Sequence, residues 1–531
     1  MFSKRGRVLA FFCLYFFSCG GGPSFPDRQR RIAVLPLENL SGNPEWEWVG
    51  PALQFAVASQ FAGSRETYAL LAPDRPSADQ VRPAAVLDGY FMVRGGRLTL
   101  RVILRDTAAG RNIRVVESSD RTASNLPAFA RSLAGSIGSP VRPVFTANPE
   151  AFREYAAALA ENRPEARIPA LRRAIENDPA CGPAWGLLVQ SLAAAGDRAG
   201  ALRAAEAALA GGIKLDPVDQ AQVKFLMASV REDRPSAVAA RWQLARLLPL
   251  DVDFAVQTAA EALLARQFEV AAQVLEQAVQ AEPQNFVLWN ELAYARAFAG
   301  QREQAFQAAD RCVSLAPAAA NPLDTAGEVR HLLGDFAPAA ISFEKAYALD
   351  PAFLAGATLL KAAEAHLRLG DVKGAGLLFE RYYSEAARNR SDKETLRDQW
   401  RQFTGRLPRP PQGPLPSAED PAAKAAWLLA KRDFRAAEPI LRRLGETLLP
   451  NADGPVRILL AWVLMETGRD SEAAPLLRLY PPGLLRGHPA LVSLAWPLEL
   501  ELRARLAQKA GDNAAAERFQ WLYALYGGGR P

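Results

Sequence analysis

Four prolines, Pro249, Pro283, Pro317 and Pro351, recur at intervals of 34 residues. Ala237, Ala271, Ala305 and Ala339 keep the same interval, as do Ala278, Cys312 and Ala346. A fixed period of this length signals one supersecondary unit repeated along the chain. The residue types give the unit as a pair of antiparallel helices. Small side chains stand where two helices cross closely, and proline, which cannot continue a helix, marks the end of the second one. Gly-Asp pairs (Gly196-Asp197, Gly334-Asp335, Gly370-Asp371) fall between the helices. There glycine ends the first helix and aspartate caps the second. No such hairpin buries its apolar face alone, so the copies must stack into an extended array with a concave side.

The pattern resembles the tetratricopeptide repeat (TPR). In one copy Trp289, Leu292, Ala293, Ala305, Cys312 and Pro317 stand at the family's positions, with Arg296 where tyrosine is usual. The next copy carries Gly327, Ala339, Phe343 and Ala346. Trp185, Leu188, Ala201 and Ala208 mark an earlier one, with Ala174 and Pro179 before it, and Gly370, Asp371, Ala375 and Phe379 mark a later one. The array spans 148–387. A helix and a proline-rich linker follow over 388–420, then degenerate TPR-like hairpins and a cap over 421–527, with helices expected over 422–429 and 435–447, 456–467 and 472–479, and 489–510 and 513–525. Trp521, Tyr523 and Tyr526 near the end read as capping core or as a ligand box. The resemblance implies that the first helix of each pair lines the concave face. The groove residues are then Asn290, Tyr294 and Phe298, next Asp324, Glu328 and His331, and next Lys361, Glu364 and Arg368. Tyr294 and Phe298, four apart, share one helical face and could anchor an apolar group of a partner peptide. The alternative is that Phe298 packs against a neighbouring repeat. Two basic residues in one repeat do not make the full carboxylate clamp of some chaperone-binding relatives.

The segment before the array alternates differently. Strands are expected at 32–35, 67–71, 86–94, 98–105 and 113–117. A helix is expected over 46–61, with Val49, Leu53, Val57 and Phe61 four apart, and another over 126–137. Gly95-Gly96 supplies the positive φ of a two-residue hairpin. Leu98, Leu100, Val102 and Leu104 point to one face, so that face is buried. With "IAVLPLENLSG" and "VLDGYFMVRGGRLTLRVILRDTAAGRNIRV" this region, 31–140, resembles the TolB amino-terminal-like domain, an α/β module. Leu37 and Asn43 replace that family's usual Phe and Asp. The loop 38–44 is either a contact surface or a helix entry that needs Gly42 for its backbone. The fold class expected is an α/β amino-terminal domain, a mixed sheet with flanking helices, followed by an all-α TPR superhelical solenoid.

The chain begins with Lys4, Arg5 and Arg7, then an apolar run from 8 to 17, then small residues, which is the layout of a signal peptide over 1–18. The run is about half of what a membrane-spanning helix needs. Cys19 follows Ser18 and resembles the lipid-modified cysteine of bacterial lipoproteins, although Phe16 and Phe17 stand where that family prefers Leu and a small residue. Residues 19–30 would be a flexible tether. Gly20, rather than Asp, after the cysteine implies outer-membrane sorting by the same resemblance. The alternative is ordinary secretion with an incidental cysteine. Cys181 and Cys312 read as buried free thiols rather than a disulfide pair. Net charge is +6 over 531 residues, three of the positive charges lying in the first seven, which argues against a nucleic-acid partner.

The 3 histidines, His331, His366 and His488, sit in no zinc-binding spacing, and no phosphate-binding glycine loop or nucleophile elbow is present. The reading is a non-enzymatic, lipid-anchored cell-envelope protein, on the periplasmic side and without cofactor or metal, that uses a TPR solenoid as a scaffold for protein partners. Alternatives are a secreted sensor or regulatory protein whose α/β domain binds a small ligand, and an enzyme whose carboxylate pair is assembled only in three dimensions. A deep pocket with two carboxylates would favour the enzyme. A closed apolar cavity at the strand ends would favour the sensor.

Overall fold

The computed structural model describes residues 30–80, 83–387, 391–405, 414–417, 419–448, 453–496 and 498–526. The signal segment, Cys19, nearly all of the tether and most of the proline-rich linker lie outside the described residues. The fold is an α/β region followed by an all-α, TPR-type solenoid. By contact the chain divides into two compact units. One comprises Met1–Thr258 with Val274–Asn285, the other Ala259–Gln273 with Phe286–Pro531.

The first unit opens with a six-stranded sheet of order β3-β1-β4-β5-β6, with β2 paired to β4. The strands are β1 (Arg30–Val34), β2 (Glu38–Asn39), β3 (Thr67–Leu71), β4 (Ala85–Arg94), β5 (Arg97–Asp106) and β6 (Asn112–Arg121). β1 runs parallel to β3 and β4, and β4, β5 and β6 form an antiparallel meander. Gly95 and Gly96 both take positive φ, +56° and +74°, so the β4–β5 turn has the geometry that only such residues adopt without strain. Leu98, Leu100, Val102 and Leu104 are all buried, against Val49, Leu53 and Val57 of the helix Val49–Ser59 and Phe129 and Leu133 of the helix Leu126–Ile137. β2 and the short helix Arg75–Gln80 were not expected from the sequence. Loop 38–44 is tied to itself. Asn39 Nδ2 donates to Asn43 O, Ser41 N donates to Asn39 Oδ1, and Asn43 caps Glu45. Those bonds account for the loop as a helix entry.

Helical hairpins follow in the same unit: Pro149–Ala160 with Pro164–Asn177, Gly182–Ala194 with Arg198–Leu209, and Pro217–Arg231 with Arg234–Leu247. The second unit contains Phe286–Phe298 with Arg302–Leu315, Ala320–Leu332 with Phe336–Leu349, and Ala357–Leu369 with Val372–Arg381. Each periodic proline stands two residues past a helix that ends at Leu247, Ala281, Leu315 or Leu349. Ala271, Ala305, Ala339 and Ala375 are each 0% exposed, as close helix crossing requires. Gly327 marks the tightest crossing, since a Cβ there would lie 2.6 Å from the Phe343 ring. Asp197 and Asp371 cap the following helix by accepting from Gly200 N and Gly374 N, but Asp335, expected to do the same, makes no side-chain cap bond.

The carboxy-terminal hairpins depart from expectation at two places. The helix expected over 472–479 stops at Leu476, one residue after Pro475, and the chain leaves helical geometry until Pro489–Ala495, apart from the one-turn 3₁₀ segment Leu484–Arg486. The helix expected over 489–510 is broken, because Trp496 precedes a proline and takes an extended conformation. Of the three late aromatics, Tyr526 is buried and its hydroxyl donates to Leu367 O, whereas Trp521 is 55% exposed.

Candidate functional site

The helices Phe286–Phe298, Ala320–Leu332 and Ala357–Leu369 carry the nine residues expected to line the groove. They do not form an open surface. Asn290, Phe298, Asp324, Glu328, His331, Lys361, Glu364 and Arg368 are each less than 10% exposed, and Tyr294 is half-buried. Two groups emerge, one internal to the repeats and one covered by a later part of the chain.

The first group is a ladder between successive repeats. Asn290 Nδ2 donates to Thr325 Oγ1 at 2.9 Å, and the Tyr294 hydroxyl donates to Glu328 Oε2 at 2.8 Å. Lys361 Nζ donates to both Asp324 oxygens at 2.7 Å and lies 2.5 Å from Glu328 Oε1. Two carboxylates therefore share one buried ammonium. Burial pushes Asp324 up to about 6 although Lys361 pulls it down, and the two carboxylates hold Lys361 above its ordinary value against burial. Phe298 stacks on Tyr294 at 6.2 Å and meets Phe268 at 5.5 Å, so its ring packs between repeats.

The second group grips the stretch 478–485, which runs into the 3₁₀ turn Leu484–Arg486 and which the sequence reading missed. Glu364 is its centre. Glu364 Oε2 accepts from Gly483 N at 2.5 Å and Leu484 N at 3.2 Å, and its Oε1 accepts from Leu485 N at 3.0 Å. Gly483, with φ +75°, turns the backbone so that three successive amides converge on one carboxylate. Burial pushes Glu364 up to about 7 despite those three donors. Tyr480 N donates to Leu332 O at 3.0 Å, and His331 Nδ1 donates to Tyr480 O at 3.0 Å. His331 is held neutral, its pKa lowered to about 3 by burial and by Arg368. Arg478 donates to Phe298 O at 2.7 Å.

The Tyr480 ring lies against Phe336, 5.1 Å between centroids, with the Arg503 guanidinium 3.6 Å above it. Arg503 also donates to Leu479 O and to the wholly buried Glu499, which accepts from Arg368 at 2.6 Å. Burial alone would raise Glu499, but the two guanidinium groups outweigh it and lower it to about 2. Glu499 and Arg503 sit four apart on the helix Leu498–Lys509, a spacing readable in "LELELRARL" as an ion pair but with no sign of its partner Arg368. Pro481, Pro482, Leu484 and Leu485 are buried. Thus 478–485 is held against these helices through its main chain and through buried side chains, of which Leu484 and Leu485 join the apolar core.

The paired carboxylates Asp324 and Glu328 converge on the buried ammonium of Lys361. A cavity of about 260 Å³ does occur in the first unit, bordered by Phe55, Phe145, Tyr155, Leu187, Arg142 and Asp219. It lies among helices rather than at the strand ends, and Arg142 is already paired with Asp216 and Asp219 at 2.9 and 2.8 Å. Among the described residues no cluster of potential ligands could hold a metal ion, and no helix is long and apolar enough to cross a membrane.

No family model matches the chain, and neither does any curated protein. Solved structures of helical-repeat proteins align with it in part. MamA aligns at 16% identity over 37% of this chain and 98% of its own, with a TM-score of 0.27. YrrB, described as a TPR protein with an unusual peptide-binding site, aligns at 17% identity over 35% of this chain and 94% of its own, TM-score 0.27. The Naa15/Naa10 assembly bound to HypK-THB aligns at 17% identity over 72% of this chain, TM-score 0.38, and this chain spans 64% of that one. The reading of the solenoid rests on its own hairpin geometry.

Proposed function

We propose that this chain is a non-enzymatic interaction scaffold of the bacterial cell envelope, held at the membrane by lipid on Cys19. The observation that carries the scaffold role is that the first helices of the hairpins hold the stretch 478–485 largely through its main-chain atoms. Main-chain capture with a few side-chain pockets is how helical-repeat grooves and sheet edges hold peptides. The anchor rests on the short apolar run, the small residue before Cys19 and the glycine-rich stretch after it. The amino-terminal α/β region, similar to TolB amino-terminal-like domains, would stand between the anchor and the array.

Two measurements test this. Changing Cys19→Ser moves the protein from the membrane to the soluble fraction, and mass spectrometry of the extracted protein finds Cys19 as a lipidated amino terminus. An unmodified Cys19, or an intact 1–18 segment, refutes the anchor. Cross-linking and pull-down from membranes then recovers the same protein partners with the intact chain in replicate. Recovery of none refutes the scaffold.

A further inference from the structure

We infer that residues 478–485 are a built-in ligand of the array, and that a partner's extended segment of the same chemistry, an aromatic anchor followed by Pro-Pro-Gly and two leucines, replaces them. This rests on the scaffold reading and specifies its binding surface.

Two observations carry it. The contact is made largely through main-chain groups. Glu364 takes three consecutive amides, and Leu332 O and His331 take the two main-chain groups of Tyr480, while the side chains of Leu479, Pro481, Pro482, Leu484 and Leu485 are buried beside the Tyr480 ring. Next, the side that receives the segment is charged. Glu364, Arg368, Glu499 and Arg503 all lie under or beside it, and the Asp324–Glu328–Lys361 cluster adjoins on the same helices. A surface that is always dry gains nothing from buried ion pairs over apolar groups of the same shape. A surface that is sometimes wet needs them.

The chemistry of the replacement follows from the segment. Consecutive prolines keep it extended with little entropy to lose on docking. Glycine is required at the position of Gly483, where φ is +75°, so that the next amides point at Glu364. The aromatic ring must fit between Phe336 and the Arg503 guanidinium.

The test uses the full purified chain and a labelled synthetic peptide of residues 477–488. The Tyr480→Ala chain, whose own segment is weakened, is expected to bind the peptide roughly tenfold or more tighter than the unaltered chain does, a difference of ~1.4 kcal/mol. Adding Glu364→Ala should abolish that uptake. In the unaltered chain, hydrogen exchange of the 483–485 amides should run roughly tenfold or more faster than that of the helices Ala320–Leu332 and Ala357–Leu369, which reports local release. The proposal is overturned if a folded Tyr480→Ala chain takes up no peptide at about 1 mM. It is overturned equally if those amides exchange only at the rate of the helices beneath them, a readout that stands even where Tyr480→Ala does not fold. A concentration-dependent dimer of Tyr480→Ala in place of peptide uptake would assign the groove to a second copy and also overturn it. None of these failures touches the scaffold reading, which the pull-down decides through whatever surface the partner uses.

Discussion

Lys361 holds two carboxylates inside the second unit, and replacing it with methionine isolates what that charge does. The side chain is 3% exposed, with Asp324 at 2.7 Å and Glu328 at 2.5 Å. Coulomb's law at an effective dielectric of ~20 gives an attraction of ~6 kcal/mol per contact at such distances, before the cost of stripping water from three ions. Most of that gain is offset by desolvation, so the net loss on removing one partner is ~3–5 kcal/mol. Lys361→Met is therefore expected to lower the melting temperature by roughly 6–20 °C, at ~2–4 °C per kcal/mol for a unit of this size. Methionine keeps the length of the aliphatic stem, so lost packing contributes little. The sign with pH is definite. Without the ammonium the buried Asp324, already raised by burial, has a folded-state pKa above its unfolded one, so the folded state takes up a proton that the unfolded state does not. The loss should therefore be largest near pH 8 and shrink toward pH 5. Urea denaturation of the unaltered chain, Lys361→Met and the triple change Lys361→Met, Asp324→Asn, Glu328→Gln measures this, and the triple change should recover most of the loss. A loss below ~1 kcal/mol, or one unchanged across that pH range, would refute the argument that a buried, shared ammonium is the source.

Ala305→Leu adds three carbons at a crossing where the native side chain is fully buried, and should cost ~1–3 kcal/mol in the same denaturation assay. Cys181 and Cys312 are buried and their thiols are pushed up to about 12, so a disulfide-forming thiol reagent should modify them only once denaturant is added. Glu364, raised by burial from 4.5 to about 7, contributes stability that is present below its unfolded value and lost as the pH rises through about 7. Exchange of the 483–485 amides, corrected for intrinsic rate, should accelerate between pH 6 and 8, and Glu364→Gln should remove that acceleration.

The repeated hairpins were legible because their signals are local and redundant. A proline two residues past a helix, an alanine at a crossing and a glycine at a turn each act within a few residues, and each recurs at every copy. The sheet was legible for a similar reason. Leu98, Leu100, Val102 and Leu104 alternate, and period two admits one buried face. Failures fell where one residue opposed a longer pattern. The apolar spacing of 472–479 continues past Pro475, but the helix stops at Leu476. The spacing of 489–510 runs through a proline that unwinds Trp496. β2 and the helix Arg75–Gln80 are too short, at 2 and 6 residues, for a periodic signal to accumulate.

The groove residues show a different limit. Periodicity assigns a side chain to a face, but it cannot say what covers that face. What covers it is 478–485, more than 100 residues from Glu364 along the chain, and it does so with backbone amides that every residue but proline possesses. A carboxylate that pairs with a lysine or arginine can be sought by charge. One that accepts three amides leaves no trace at the donor positions except Gly483, where the chain must turn. The stretch "YPPGLL" interrupting an otherwise helical carboxy-terminal region is the trace, since two prolines exclude helix and a glycine between them and two leucines marks a forced turn. The charged character of Glu364 and Arg368 suits a face in contact with water. The same charge also suits a face that is covered in one state and open in another, and only the partners it meets in space distinguish the two.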